Sequence, residues 1–288
     1  MINKRFWWLV GPGAAFLMVF LILPLISIVV FSFWKTESYT LIADWNLENY
    51  ITLLTEKTYL TFIMRSLVMA TVVSFVSLLF AWPVAFYIAR YGGKFKIIYL
   101  LLTSAPFLTG EILRVTAIQQ ILGPIGLINM ALTSFGIEPI EALMYSNVAS
   151  AIGLTYLWVP FMVLAIYLSL LNFDFELLEV AKLNGARAWS AFWEITWPLN
   201  RTGTAIGVVL VFVPTLASSI TSKFLGGPNG ALYGNILSHQ FGSTGTWALG
   251  SAMGVILFAI SIFILYLVWK SIGDLKRSGI TIKGGSSS

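Results

Sequence analysis

Two ionisable residues interrupt an otherwise apolar stretch, residues 97–122, and set the first limits on the chemistry of this chain. Glu111 and Arg114 stand three positions apart, so on a helix they would share one face and could pair. Charges in such surroundings are costly and usually serve function. We consider two roles: a gate or a contact that attracts a cationic solute, and a self-paired couple that holds one helix against its neighbours.

Residues for covalent or metal chemistry are scarce in this sequence. There is no cysteine, and the single histidine, His239, excludes a multi-histidine metal site and is expected to be a surface hydrogen-bonding residue. The apolar stretches hold no aspartate or histidine, and neither a His-Glu-x-x-His motif nor a Gly-x4-Gly-Lys-Ser/Thr phosphate loop occurs. An intramembrane enzyme is therefore disfavoured, and any nucleotide must bind to a partner.

A second polar region spans residues 172–201, where seven charges fall in thirty residues. Apolar positions between Phe175 and Asn184 recur at helical spacing, and the following Gly185 is a helix-stop signal. A second helix is predicted over 186–193, ending before Pro198. The sequence therefore predicts a helix, a tight turn and a second helix.

The small residues of this segment suit contact with another protein. Ala181, Gly185 and Ala186 would let a partner backbone approach closely, and Glu179 supplies charge. Such a knob could enter a groove on a water-soluble protein. A solvated helical linker would show the same pattern, and these residues alone leave both interpretations open.

The elements that position these residues follow from composition. Hydrophobic residues make up 58% of the chain and charged residues 10%, with a mean hydropathy of +0.87, whereas an average soluble domain carries about 25% charged residues. Part of the solvent must therefore be lipid. Six windows are long enough to span a bilayer, namely residues 9–34, 66–89, 97–122, 147–171, 202–222 and 247–269. We predict an all-α polytopic membrane protein with six transmembrane helices.

The distribution of basic residues predicts the orientation. With the N-terminus in the cytoplasm, the inner segments hold twelve of the seventeen Lys and Arg residues and the outer segments hold four. The positive-inside rule then places both termini and residues 172–201 in the cytoplasm. This pattern also accounts for the net charge of +5 without a nucleic-acid partner. Residues 284–288, Gly-Gly-Ser-Ser-Ser, are expected to form a flexible tail.

A family resemblance rests on one spaced motif in the 172–201 segment. The motif reads Glu179-x-Ala181-x3-Gly185-x9-Ile195-x-x-Pro198. It resembles the EAA loop of inner-membrane permease subunits of bacterial ABC importers, whose pattern is Glu-Ala-Ala, three residues, Gly, nine residues and Ile-x-Leu-Pro. Val180 and Trp197 depart from that pattern, and both remain apolar.

The resemblance implies a type I ABC importer permease that moves its solute by alternating access. The family's coupling loop would comprise Glu179, Ala181, Gly185, Ala186, Ile195 and Pro198. It implies a second homologous permease, two cytoplasmic ABC ATPase subunits and an extracytoplasmic solute-binding protein as partners. It also implies location in the lipid bilayer of a bacterial inner membrane, no cofactor on this chain, and ATP with magnesium on the ATPase subunits.

Shorter motifs resemble the spermidine/putrescine-type permeases within this superfamily. They are Pro106 with Glu111-Ile112-Leu113-Arg114, Leu122-Gly123 with Gly126-x-x-Asn129, Leu225-Gly226-Gly227-Pro228, and Trp247-x-x-Gly250-Ser251-Ala252. The resemblance implies a small cationic solute such as a polyamine. Permeases for amino-acid-like compounds, thiamine or ferric iron are the alternatives. An ion-coupled secondary transporter is disfavoured, since such carriers often show inverted repeats and this sequence shows none.

Overall fold

The computed structural model describes residues 4–140 and 143–277, so the tail predicted at 284–288 lies outside the described residues. The α-helices of the described chain are α1 Lys4–Phe31, α2 Glu48–Thr55, α3 Lys57–Tyr91, α4 Lys96–Ser104, α5 Glu111–Leu122, α6 Leu127–Ser134, α7 Asn147–Leu170, α8 Glu176–Leu183, α9 Ala188–Ala191, α10 Trp197–Leu216, α11 Tyr233–Phe241 and α12 Trp247–Arg277. A short antiparallel hairpin joins β1 Lys35–Glu37 to β2 Thr40–Ile42.

Six helical segments of the described chain are long and apolar enough to cross a membrane. They are Gly11–Ser32, Lys57–Tyr91, Glu111–Ser134, Asn147–Leu170, Ala188–Leu216 and Trp247–Ser271. This agrees with the predicted class, an all-α protein with six transmembrane helices. The fourth and sixth segments begin where the sequence predicted, whereas α3 begins at Lys57 rather than at residue 66.

The prediction of one continuous helical span over residues 97–122 was wrong. The first part, α4, ends at Ser104 and a 3-10 turn follows over Ala105–Leu108, before α5 begins at Glu111. Pro106 offers no backbone N–H to continue an α-helix, and Gly110 is extended with φ −60° and ψ 149°. Hydropathy detected the apolar stretch but not the break at its centre.

The window 202–222 is also interrupted. The helix α10 ends at Leu216, and a separate π-turn occupies Ser222–Gly226. Between them the Asn235 side chain donates to the Ser219 carbonyl at 2.6 Å and its Oδ1 accepts from Ser222 Oγ at 2.7 Å. The Ser219 carbonyl also accepts the Lys223 N–H at 3.1 Å, so the Asn235 side chain adds a second bond to this carbonyl and ties α11 to the interruption.

The main core lies between α3, α7 and α10. Its buried members include Val73, Trp82, Leu154, Met162 and Val211. The helices α7 and α10 pack closely at two glycines of α10. A Cβ at Gly203 would lie 2.2 Å from the Ser169 Cβ, and one at Gly207 would lie 2.6 Å from the Met162 sulfur. Small residues therefore set the spacing of these two helices.

The segment that follows α10 is packed against protein at its π-turn, Ser222–Gly226. A Cβ at Gly153 of α7 would lie 2.1 Å from Leu225 Cδ1, and Gln119 Nε2 of α5 donates to the Phe224 carbonyl at 2.9 Å. In the neighbouring α11, burial and, to a smaller extent, Tyr59 raise the pKa of the Tyr233 phenol, which therefore stays neutral at physiological pH. Irregular backbone at this depth is tolerated where protein surrounds it.

Candidate coupling loop and membrane carboxylate

The helix α8 is defined at both ends by local hydrogen bonds. Asp174 Oδ1 accepts the Glu176 N–H at 2.9 Å and satisfies a donor at the first turn. At the other end the Gly185 N–H donates to the Lys182 carbonyl and the Ala186 N–H to the Ala181 carbonyl, both at 3.0 Å. These two bonds form a Schellman motif, and Gly185 takes the left-handed conformation it needs, with φ +82°.

The second helix of the loop differs from the prediction of 186–193. It begins at Ala188, continues through a π-turn at Phe192–Thr196 and enters α10 at Trp197 without a break. The prediction that it ends before Pro198 was therefore wrong. Pro198 is the second residue of α10 and directly follows the π-turn, and this wider turn contains the Glu194 carbonyl that the proline ring would meet in a regular α-helix.

The two faces of α8 have different surroundings. Leu178 is buried and Ala181 is partly buried, and both pack against the main core. On the opposite face the side chains of Leu177, Val180 and Leu183 are 41%, 54% and 88% exposed. Contact with a partner was predicted for the small residues and not for this apolar face, although the three-residue spacing of its members is a signal that could have found it.

The remaining motif residues lie in four settings. The Glu179 carboxylate pairs with the Arg90 guanidinium at the end of α3. Ile195 packs against the main core, and Pro198 and Ala186 are half-buried. Gly185 is exposed, with open space where a Cβ would stand. Its conformation, and not the space around it, is what requires glycine.

Glu111 and Arg114 lie at the break before α5 but do not pair with each other. Glu111 Oε1 accepts a hydrogen bond from Thr221 Oγ1 at 2.8 Å. The Arg114 guanidinium lies over the Phe107 ring, 5.4 Å from its centroid. Over residues 4–140 and 143–277 the ion pairs within 4.0 Å do not include Glu111 with Arg114. Pairing between the two residues was therefore wrong, whereas a structural role for each through its own contact stays a prediction.

A groove of about 1060 Å³ runs between α3 and α7. Its lining is largely apolar, and it includes the cations Lys57 and Arg65 together with Asn147 and Tyr156. No carboxylate lines this groove, and in the part of the chain that the structure describes no three His, Cys, Asp or Glu side chains are grouped to hold a metal ion.

Comparison of folds defines the class of protein. The bacterial alginate ABC transporter, in the crystal structure of its complex with an alginate pentasaccharide-bound periplasmic protein, contains a chain that superposes with a TM-score of 0.69. The match covers 92% of this chain and 93% of that chain, at 16% sequence identity, which establishes the fold alone. The fold is that of an ABC importer permease.

Sequence comparison establishes the family. No protein-family model matches the chain. The spermidine/putrescine transport system permease protein PotB of Haemophilus influenzae is 30% identical over 258 residues, which cover 88% of this chain and 90% of PotB. PotB of Escherichia coli K12 is also 30% identical, over 88% of this chain and 93% of its own length. The chain belongs to the ABC importer permease family that includes PotB.

Membership in this family confirms the resemblance drawn from the motifs and fixes the coarse function. The chain is a multi-pass inner-membrane permease subunit. It carries no cofactor, and ATP hydrolysis and the binding of ATP and magnesium belong to partner ATPase subunits.

Proposed function

We propose that this chain, with a second and non-identical permease, forms the membrane channel of an ATP-driven importer for a polyamine such as spermidine or putrescine. An extracytoplasmic solute-binding protein would deliver the solute, and two cytoplasmic ATPase subunits would drive alternating access. The observation that carries the solute assignment is the 30% identity to spermidine/putrescine permeases over 88% of the chain.

The Glu111 carboxylate supports a cationic solute. It stands at the first residue of α5, where the helix dipole favours a negative charge. Its hydrogen-bond donor, Thr221, is neutral, and the nearby Arg114 is directed to an aromatic ring. A carboxylate at a helix break between membrane helices attracts cations, and broken helices line the solute sites of many transporters.

The solute proposal is tested by binding and uptake. The purified solute-binding protein should bind spermidine or putrescine in calorimetry, and proteoliposomes containing the complete importer should accumulate it. Glu111→Gln should lower polyamine uptake by about tenfold, because an attraction of roughly 1–2 kcal/mol is lost, while Thr221→Val should have a smaller effect. Polyamine uptake that survives an exchange of charges between Glu111 and Arg114 would limit both residues to a structural role.

A second candidate solute is an amino-acid-like compound. The α3–α7 groove has two cationic side chains, Lys57 and Arg65, and no carboxylate, so it would favour a carboxylate-bearing solute over a polyamine. The same calorimetric assay separates the two candidates. Binding of amino acids without binding of spermidine or putrescine would replace the polyamine proposal with this one.

We infer that the apolar face of α8 is the surface that docks on an ATPase subunit. Leu177, Val180 and Leu183 form one exposed stripe, and Leu183 at the end of the helix is the most exposed of the three. An apolar helix face of this kind fits a hydrophobic groove. When the ATPase dimer closes on ATP, it would draw the two permease loops together. The two permeases would then move as rigid bodies, and the channel would open to the opposite side of the membrane.

Docking is tested with a charge placed on that face. Leu183→Asp should lower co-purification of the ATPase by more than about tenfold, because an exposed apolar anchor that is buried on binding contributes about 2 kcal/mol or more. Lys182→Ala, on another face of α8, is the matched control and should bind the ATPase within about twofold of the wild type. Equal ATPase recovery with Leu183→Asp would place docking elsewhere.

A further inference from the structure

We propose that Arg90 is a positioning residue that fixes the coupling helix α8 to α3 through Glu179, so that the two helices move as one body. The inference rests on the proposed role of α8 in ATPase docking and concerns how its movement reaches the membrane helices. It assigns Glu179, which the family resemblance placed in the coupling loop, a partner within its own chain.

The Arg90 guanidinium is held in place on several sides. Its Nη2 contacts Glu179 Oε1, and its Cζ lies 5.3 Å from the centroid of the Tyr91 ring and 5.9 Å from that of Phe86. Its side chain is 24% exposed, against 58% for Glu179. A planar guanidinium between aromatic rings loses little freedom on binding a carboxylate. Arg90 is therefore the preorganised side of the pair.

A second contact joins the same two helices beneath the ion pair. Phe175, just before α8, packs edge-on against Phe86 of α3 with ring centroids 5.8 Å apart. Leu178, one turn further along, is buried in the main core. A helix of eight residues is too short to be stable alone, so these contacts determine its direction.

The attachment of α8 to α3 has a mechanical consequence. The helix α3 packs against α7 and α10 in the main core, and α3 and α7 form the walls of the groove described above. A displacement of α8 would therefore pass to α3 at Arg90 as well as along the chain through α9. The apolar stripe of α8 stays exposed beside this attachment and remains available to a partner.

Charge reversal tests the pair in the complete importer reconstituted in proteoliposomes. Arg90→Glu and Glu179→Arg should each lower the ratio of receptor-stimulated to basal ATPase activity by about fivefold, the scale expected for a partly exposed ion pair that couples two elements. The double variant with both reversals should recover the ratio to within about twofold of the wild type. Lys94→Glu makes the same charge change close to Arg90 and should leave the ratio within about twofold of the wild type.

The outcomes separate this inference from the proposed docking function. If the wild-type chain recruits no ATPase, the docking proposal fails first. If docking and the single-variant losses are observed but the double reversal is no better than the single variants, Glu179 acts through a group other than Arg90 and the inference is overturned. Recovery of ATPase on the purified variants checks that each complex has assembled.

Cross-linking provides a second test that does not depend on charge. The chain has no cysteine, so Arg90→Cys with Glu179→Cys introduces a single thiol pair. A short bismaleimide across this pair should restore uptake to within about twofold of the wild type, because a covalent bridge replaces the lost contact. Each single cysteine variant treated with the same reagent is the control. If the bridge abolishes uptake, α8 must move relative to α3 and the inference is wrong.

Discussion

Gly185 shows how one backbone conformation supports the docking loop. Its φ of +82° closes the Schellman motif through which the Ala186 N–H reaches the Ala181 carbonyl. Most residues with a side chain pay about 1–2 kcal/mol in this conformation. The glycine therefore closes the end of α8 without backbone strain.

We predict that Gly185→Asp lowers uptake and receptor-stimulated ATPase activity by more than about tenfold, because it places a charge on the proposed docking surface. Asparagine has a similar size, tolerates this conformation and carries no charge, so Gly185→Asn should keep a larger part of both activities. Both variants should reach the membrane at wild-type levels on immunoblots. Normal transport by Gly185→Asp would contradict the docking role.

At the residue scale, the sequence was sufficient for local features and insufficient for long-range ones. The turn at Asn184-Gly185 was predictable because the stop signal and its hydrogen bonds lie within a few residues. The pair of Arg90 and Glu179 joins residues 89 positions apart, and Thr221 meets Glu111 across 110 positions. No spacing rule reaches that far, so the partners of both carboxylates could be found only in the structure.

At the scale of elements, the packing of α7 against α10 depends on missing side chains. A Cβ at Gly203 would lie 2.2 Å from the Ser169 Cβ and 3.0 Å from the Ala165 carbonyl oxygen. Neither the backbone of α7 nor the first carbon of a side chain can move far without shifting the helix. Hydropathy would allow any apolar residue at position 203, whereas this contact leaves room only for glycine.

We predict that Gly203→Ala destabilises the permease by about 1–3 kcal/mol through overpacking. The control is Gly254→Ala in α12, where a Cβ would stand at an ordinary 3.7 Å from Ile28 Cγ2. Thermal unfolding in lipid nanodiscs, followed by intrinsic fluorescence, should show a lower midpoint for the first variant alone. Equal midpoints would mean that α7 and α10 separate at little cost.

Prolines show why the elements themselves were only partly predictable. Pro106 coincides with a break between α4 and α5, whereas Pro198 lies in a helix that continues from Ala188 to Leu216. The difference comes from the neighbouring turns, a 3-10 turn with an extended Gly110 in one case and a π-turn in the other. The six apolar stretches could be predicted from local hydrophobicity. Which proline ends a helix could not be predicted, because that depends on the turn next to it.

At the scale of the whole molecule, the orientation in the membrane is a prediction from charge. The twelve-to-four distribution of basic residues places α8 in the cytoplasm and the segment around Glu138 outside. Because the chain lacks cysteine, single thiols can report on each side. In intact spheroplasts that carry the permease without its ATPase subunits, a membrane-impermeant maleimide should label Glu138→Cys, and should label Leu183→Cys only after permeabilisation.

The reverse labelling pattern would place α8 outside and would remove any contact with a cytoplasmic ATPase. Labelling of both thiols in intact spheroplasts would indicate leaky membranes, which a cytoplasmic marker protein would reveal.

The π-turn at Phe192–Thr196 has a consequence for the angular phase between the loop and the membrane helix that follows it. An α-helix advances about 100° per residue. The widened turn holds about one extra residue, so it rotates the preceding segment, α8 and α9, by about 100° around the axis of α10. Deletion of a single residue there would return the segment to regular pitch and would rotate the preceding loop by about 100° around the α10 axis. The azimuth at which this permease presents its loop thus depends on one residue of chain length.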